Sequence, residues 1–138
     1  MAKMVLKAAY LNLNSVDLSD HVESITINYE GKEVDATTMG DAAEWALPGL
    51  KNWSIDIDWA QDYAAGKVDA TIWPLVGGAT FAVEARPSTA VVSATNPKWT
   101  GTGRIFKYNP IAGSVGQLAK AKTTVAPGDG TDLVRATA

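Results

Sequence analysis

The sequence predicts a mainly β protein, a sandwich or barrel with one flanking α-helix over about Gly66–Val76 and a long loop over about Lys32–Asn52. Three observations predict it. Trp53, Ile55, Ile57 and Trp59 alternate with Ser54, Asp56 and Asp58, the period-two pattern of a strand with one buried and one wet face. β-Compatible segments recur along the chain between Gly, Pro, Asn and Asp turn formers, at the spacing of a sandwich or barrel. A single stretch switches to helical spacing, with Val68, Ile72, Leu75 and Val76 at i, i+4, i+7 and i+8.

The elements follow in order. Lys7 to Leu13 is β-compatible, and Asn14 to Asp20 supplies turn residues whose side chains cap backbone groups. Val22 to Tyr29 sets Ile25, Ile27 and Tyr29 on one face and Ser24, Thr26 and Asn28 on the other, after which Gly31 permits a turn or bulge. From Lys32 to Asn52 the periodicity is lost, although Met39, Trp45, Leu47 and Leu50 keep the stretch apolar; loops of that length are usually functional. The strand Trp53 to Trp59 comes next, then the helix, with its end blurred by Pro74 and closed by Gly77-Gly78. Further strands are expected over Thr80 to Arg86, Trp99 to Tyr108, Gln117 to Val125 and Leu133 to Ala136. With no internal repeat or linker, residues 1–138 are expected as one β domain, with flexible ends at 1–6 and 137–138.

Composition narrows the function. At 138 residues, 46% hydrophobic and 20% charged, the chain is an ordinary globular protein, and folding at this size hides roughly two-thirds of the extended chain's surface. The absence of cysteine excludes disulfides, thiolate metal sites and a cysteine nucleophile. The start, Met1 to Leu6, lacks a signal-peptide pattern, and no apolar run reaches the roughly 18 residues a membrane helix needs, so a soluble, cytoplasmic product with no membrane partner is expected. The net charge is −3 and the 12 basic residues are scattered singly, a poor footprint for holding a phosphate backbone.

Catalytic chemistry is not indicated. His21 is the lone histidine, so a triad would have to be built around it from Ser19 or Ser24 and Asp17 or Asp20, without a nucleophile-elbow pattern; a histidine on a strand edge or surface is the simpler reading. Asp56, Asp58 and Asp62 resemble acid/base or hard-cation candidates, but Asp56 and Asp58 fall on the wet side of their strand and no Ca-loop glycine or terminal glutamate accompanies them. Gly113-Ser114-Val115-Gly116 lacks the Lys-Ser/Thr of a phosphate loop and reads as a turn. No catalytic residue, cofactor or metal is expected. Of the five tryptophans, Trp53, Trp59 and Trp73 lie on or beside core periodicities, whereas Trp45 stands in the aperiodic stretch. Together with Met39, Leu47 and Leu50 it is expected at a contact between subunits.

The order of these features resembles the major tail tube proteins of long-tailed bacteriophages, in particular the short forms from phages of actinobacteria. The matching stretches are Val16-Asp17-Leu18-Ser19-Asp20-His21-Val22, the strand Ile25 to Glu30, Asp35-Ala36-Thr37-Thr38-Met39-Gly40-Asp41 and Leu47-Pro48-Gly49-Leu50-Lys51-Asn52-Trp53. Gln61-Asp62-Tyr63, the run Val68 to Leu75, Asn96-Pro97 and Gly113 to Leu118 continue the series, which covers about Lys7 to Arg135. The resemblance implies a structural virion protein, assembled in the host bacterial cytoplasm into the phage tail. Its copies would form six-subunit rings stacked into a tube through which DNA passes, with other tail or head-tail proteins as partners. It also implies that Lys32 to Asn52 reaches the neighbouring ring. The alternatives are a capsid decoration protein and a carbohydrate- or ligand-binding β module.

Overall fold

Alternation of apolar and polar residues decides how this sheet lies. A computed structural model describes residues 3–138; residues 1 and 2, within the end expected to be flexible, lie outside the described residues. Along β4 (Ala46–Ala60), Trp53, Ile55, Ile57 and Trp59 are all buried, as their spacing requires. The same alternation buries Leu11 and Leu13 of β1 (Tyr10–Leu13), Phe81, Val83 and Ala85 of β5 (Phe81–Arg86), and Ala121, Thr123 and Val125 of β7 (Lys120–Pro127). The remaining strands are β2 (Val16–Asp17), β3 (Val22–Asp35), β6 (Lys98–Ala112) and β8 (Val134–Ala136).

Every strand pairing is antiparallel, and the sheet runs β2-β1-β5-β6-β7-β4-β3, with β8 added to β6. β1 and β4 are separated by three strands in that order, yet Leu11, Leu13, Ile55 and Ile57 belong to one apolar cluster. Strands about 4.8 Å apart could meet in this way only if the sheet curls. The result is a single barrel-like sheet around its own core, as expected from the strand pattern. β1 and β2 are joined by a two-residue turn in which Asn14 and Ser15 both take positive φ, 51° and 66°, the geometry that matches the twist of a tight hairpin.

Two expected boundaries change. The stretch Lys32–Asn52 is not a long loop. β3 and β4 stay paired through Gly31↔Lys51, Glu33↔Pro48, Val34↔Leu47 and Asp35↔Ala46, so that only residues 36–45 form the tip of a long hairpin. The outer half of this hairpin is two-stranded and wet on both sides, so no hydrophobic alternation marked it, and a register shift between Gly31 and Glu33 breaks what period there is. The helix is also shorter than Gly66–Val76: α1 (Val68–Ile72) passes into a 3-10 turn over Trp73–Leu75, and Gly77, with φ of 65°, ends it. Val68, Ile72 and Leu75 face the core, but Trp73, one step round the helix, is 65% exposed and is not the core residue its neighbours suggested.

Polar groups inside this frame are largely partnered, His21 Nδ1 being buried without a hydrogen-bond partner. The buried Trp59 indole donates to Thr123 Oγ1 at 2.8 Å. Tyr108 of β6 donates its hydroxyl to Asp69 Oδ1 at 2.8 Å and accepts from Gln61 Nε2 at 2.9 Å, which ties α1 to the sheet. Asp132, just before β8, accepts from the Tyr29 hydroxyl at 2.9 Å and lies 3.7 Å from Lys51 Nζ, clasping the carboxyl-terminal segment to the root of the hairpin.

Gly103 has no room for a side chain: a methyl there would run into Val125 Cγ1 across the β6–β7 ladder, whereas Gly31 faces open space. Gly103→Ala should therefore lower unfolding free energy by about 1–3 kcal/mol and Gly31→Ala by less than about 0.5 kcal/mol, measured by urea titration. Burial pushes the Tyr108 phenol up to about 12, with the Asp69 contact acting in the same direction and the Gln61 donor against it. A raised value means the folded state keeps the proton that the unfolded chain gives up near 10, so the contribution is full below pH 10.0 and is lost as pH rises towards 12. Tyr108→Phe should flatten the alkaline limb of Tm against pH relative to wild type over that window.

Candidate assembly surfaces

Three surfaces stand out once the core is accounted for. The first is the hairpin tip. The Ala36 N–H donates to the Trp45 carbonyl at 3.1 Å and the Trp45 N–H to Thr37 Oγ1 at 2.9 Å, so the ladder continues one step past β4. The Asp41 carboxylate accepts from the Thr38 N–H at 2.7 Å and from the Trp45 indole at 2.8 Å, pinning the tip back on itself. The indole is held by its edge and 49% exposed. The four residues expected at a subunit contact all lie on this hairpin: Met39 is fully exposed at the tip, Leu47 is half exposed beside Trp45, and Leu50 is 86% exposed nearer the root. Val34, opposite Leu47, joins them and was missed, because its place in the pattern becomes visible only with the register.

The second surface is the outer face of the curled sheet. Residues directly opposite one another share a face, which aligns Thr26, Asp56, Thr124 and Lys107 in one row across β3, β4, β7 and β6, and Ser24, Asp58, Lys122 and Asn109 in the next. Asp56 accepts from Asn28 Nδ2 at 2.9 Å and Thr124 Oγ1 at 2.8 Å. Two carboxylates and two ammonium groups line a shallow depression of about 240 Å³. Asp56 and Asp58 are thus members of a wet, mixed-charge face, the role their alternation gave them, and Asp62 lies elsewhere. Its Oδ2 is 2.9 Å from His21 Nε2, and the Ala64 N–H bonds its other oxygen; this N–H, more than His21, holds the Asp62 carboxyl below the ordinary aspartate range. Among the described residues no three His, Cys, Asp or Glu side chains converge as metal ligands. No helix among them is long and apolar enough to cross a membrane.

The third surface is an edge. β3 is the last strand of the sheet, and among the described residues no strand pairs with its outer side, leaving a fourteen-residue strand with one unpaired edge. At the other end of the order stands β2, only two residues long. Phe106, Ile111, Val115 and Leu118, around the β6–β7 connection, add exposed apolar side chains that the turn signals of that region concealed.

A curled antiparallel sheet with a short flanking helix, a long two-stranded hairpin and a polar outer face is a tail-tube-like β fold, and solved structures match it over most of the chain. A chain from the virion of a native gene transfer agent particle superposes with a TM-score of 0.69 at 16% identity, over 92% of this chain and 94% of that one. A chain of the tail of an empty gene transfer agent particle, of C6 symmetry, gives 0.65 at 17% identity over 86% and 83%. A chain of the sheath–tube complex of PVC, an extracellular contractile injection system, in its extended state, gives 0.66 at 9% over 99% and 93%. No protein-family model matches the sequence. No curated protein matches it either.

The Thr38 N–H and then the Trp45 indole hold the Asp41 carboxyl below its ordinary value of 3.8, so the tip should keep this contact through neutral and mildly acid pH and lose it only on protonation below 3.8. The Trp45 indole N–H resonance should shift in that range. Asp41→Ala should abolish the shift while leaving the midpoint of global unfolding in urea unchanged, because the tip contributes nothing to the core.

Proposed function

We propose that this chain is the subunit of a phage-type tail tube: a structural virion protein whose copies close into rings, six to a ring, and stack into a hollow cylinder that DNA traverses. The observation that carries the reading is the combination of a tail-tube-like fold with an unpaired β3 edge and an outer sheet face that is polar and charge-balanced. A fourteen-residue open edge is an aggregation liability in a lone domain, and a closed ring of sheets removes it. The polar face of β3, β4, β7 and β6 then suits the lumen. Asp56 and Asp58 are offset by Lys107 and Lys122, so a polyanion meets neither a strong barrier nor a sticky basic track. Six-fold order in the neighbouring assemblies supports the ring number. Assembly takes place in the host cytoplasm, with the other tail and head-tail proteins as partners, and the chain acts without catalysis.

Negative-stain microscopy of the purified protein over rising concentration tests this. The expected result is rings of six or hollow tubes, with labelled protein along the tails of virions. A protein that stays monomeric at every concentration, or label confined to capsid faces, overturns it.

A further inference from the structure

β4 loses its supporting strand before the outer hairpin begins. Its ladder to β7 stops at Ile55↔Val125, and the carboxyl-terminal segment takes over alongside it. The Trp53 indole donates to the Thr131 carbonyl at 3.3 Å. Asp132 then reaches both strands of the hairpin root, accepting from the Tyr29 hydroxyl of β3 and facing the Lys51 ammonium of β4. Lys51 also lies over the Tyr29 ring, 5.8 Å from its centroid, so carboxylate, phenol and ammonium form one closed group.

The segment that supplies this grip is itself fixed to β6. The Gly128 N–H donates to the Thr102 carbonyl at 2.9 Å, Arg104 Nε donates to the Gly128 carbonyl at 3.1 Å, and β8 pairs with Lys98, Trp99 and Thr100. Leu133 is buried, its side chain lying with the Trp53 ring over Gly101. The Leu133 N–H donates to Asp132 Oδ1 at 2.8 Å, which turns Oδ2 towards Tyr29 and Lys51.

One step past this clasp the ladder is weakest. Between Gly31↔Lys51 and Glu33↔Pro48, Gly49 and Leu50 stand opposite Lys32 alone, a bulge of the kind that bends a strand pair. Pro48 has no N–H to donate, and Gly31 faces open space. A firmly anchored grip thus sits directly beside an unflanked bend.

We infer that residues 131–136 act as a latch on the hairpin: Asp132 holds Tyr29 and Lys51 together and sets the angle at which the hairpin leaves the sheet. Released, residues 32–50 swing about the bulge while the barrel stays folded. Both charges of the ion pair are substantially exposed, so the latch is weak enough to open without disturbing the core. The inference concerns a single chain and does not depend on the proposed tube.

The chain has no cysteine, so spin labels go only where cysteines are introduced. Gly40→Cys at the tip, where a side chain meets nothing within 4 Å, and Ala82→Cys at an exposed position of β5 report the distance from hairpin to barrel by pulsed electron spin resonance. The measurement uses full-length protein, kept dilute and unassembled. The doubly labelled parent should give one narrow distance distribution. Asp132→Ala should widen it about twofold or more, while hydrogen-exchange protection of the β7 amides stays within about twofold of the parent. Tyr29→Phe, which removes only the hydroxyl, should widen it by less, and adding it to Asp132→Ala should widen it no further, because both remove the same bond. A distribution as narrow in Asp132→Ala as in the parent, or equally wide in both, overturns the latch. Widening that comes with lost β7 protection overturns it too, since Asp132 would then be supporting the barrel and not the hairpin. So does an additive effect of Tyr29→Phe in the Asp132→Ala background.

Discussion

The burial of one face of β4 is the constraint on which everything else rests. Trp53, Ile55, Ile57 and Trp59 can be buried together only in one register, and a slip by a single residue would put Asp56 and Asp58 into the core. The cost of burying two unpaired carboxylates far exceeds what any alternative pairing could return. That register in turn aligns β7 and β3 on either side of β4. It thereby decides which residues of four strands form the polar outer face. The indole of Trp53 also limits its surroundings: Gly101 and Gly103 lie where a side chain would strike it or its neighbours, so β6 crosses the core with bare backbone.

The outer half of the hairpin follows different physics. Beyond Lys51 the two strands have no third partner from the sheet and no core beneath them, and the pair is held by its own ladder, the Trp45–Asp41 pin and the turn at the tip. An isolated two-stranded ribbon is marginal in water. Its persistence here depends on being rooted in a sheet whose register is already set. Core burial and bare backbone pairing are in this way divided between two parts of one pair of strands.

This division explains what was legible in the sequence. Strands with one buried face declare themselves by alternation, and β4, β5 and the inner half of β3 were readable for that reason; so was Trp45 as the tryptophan out of step with any core. The outer hairpin was not readable as strand, because backbone pairing without burial leaves no mark on side-chain type. Pro48, which ordinarily argues against a strand, is tolerated at a two-stranded margin where its missing N–H need not be matched. Trp73 misled because a short helix narrows its buried stripe to three residues, and a hydrophobic neighbour one step away turns to solvent. The pairing of His21 with Asp62 joins residues 41 positions apart, and nothing local to either signals it.

The clasp formed by Asp132 with Tyr29 and Lys51 has a consequence for biosynthesis. Asp132 and β7, the inner neighbour of β4, which begins at Lys120, both follow the hairpin along the chain. A nascent chain on the ribosome therefore carries its hairpin well before the strand that seats β4 and the carboxylate that braces the hairpin root have emerged. The hairpin is thus made before the strand and the carboxylate that brace its root, and its support is complete only when both have joined the sheet.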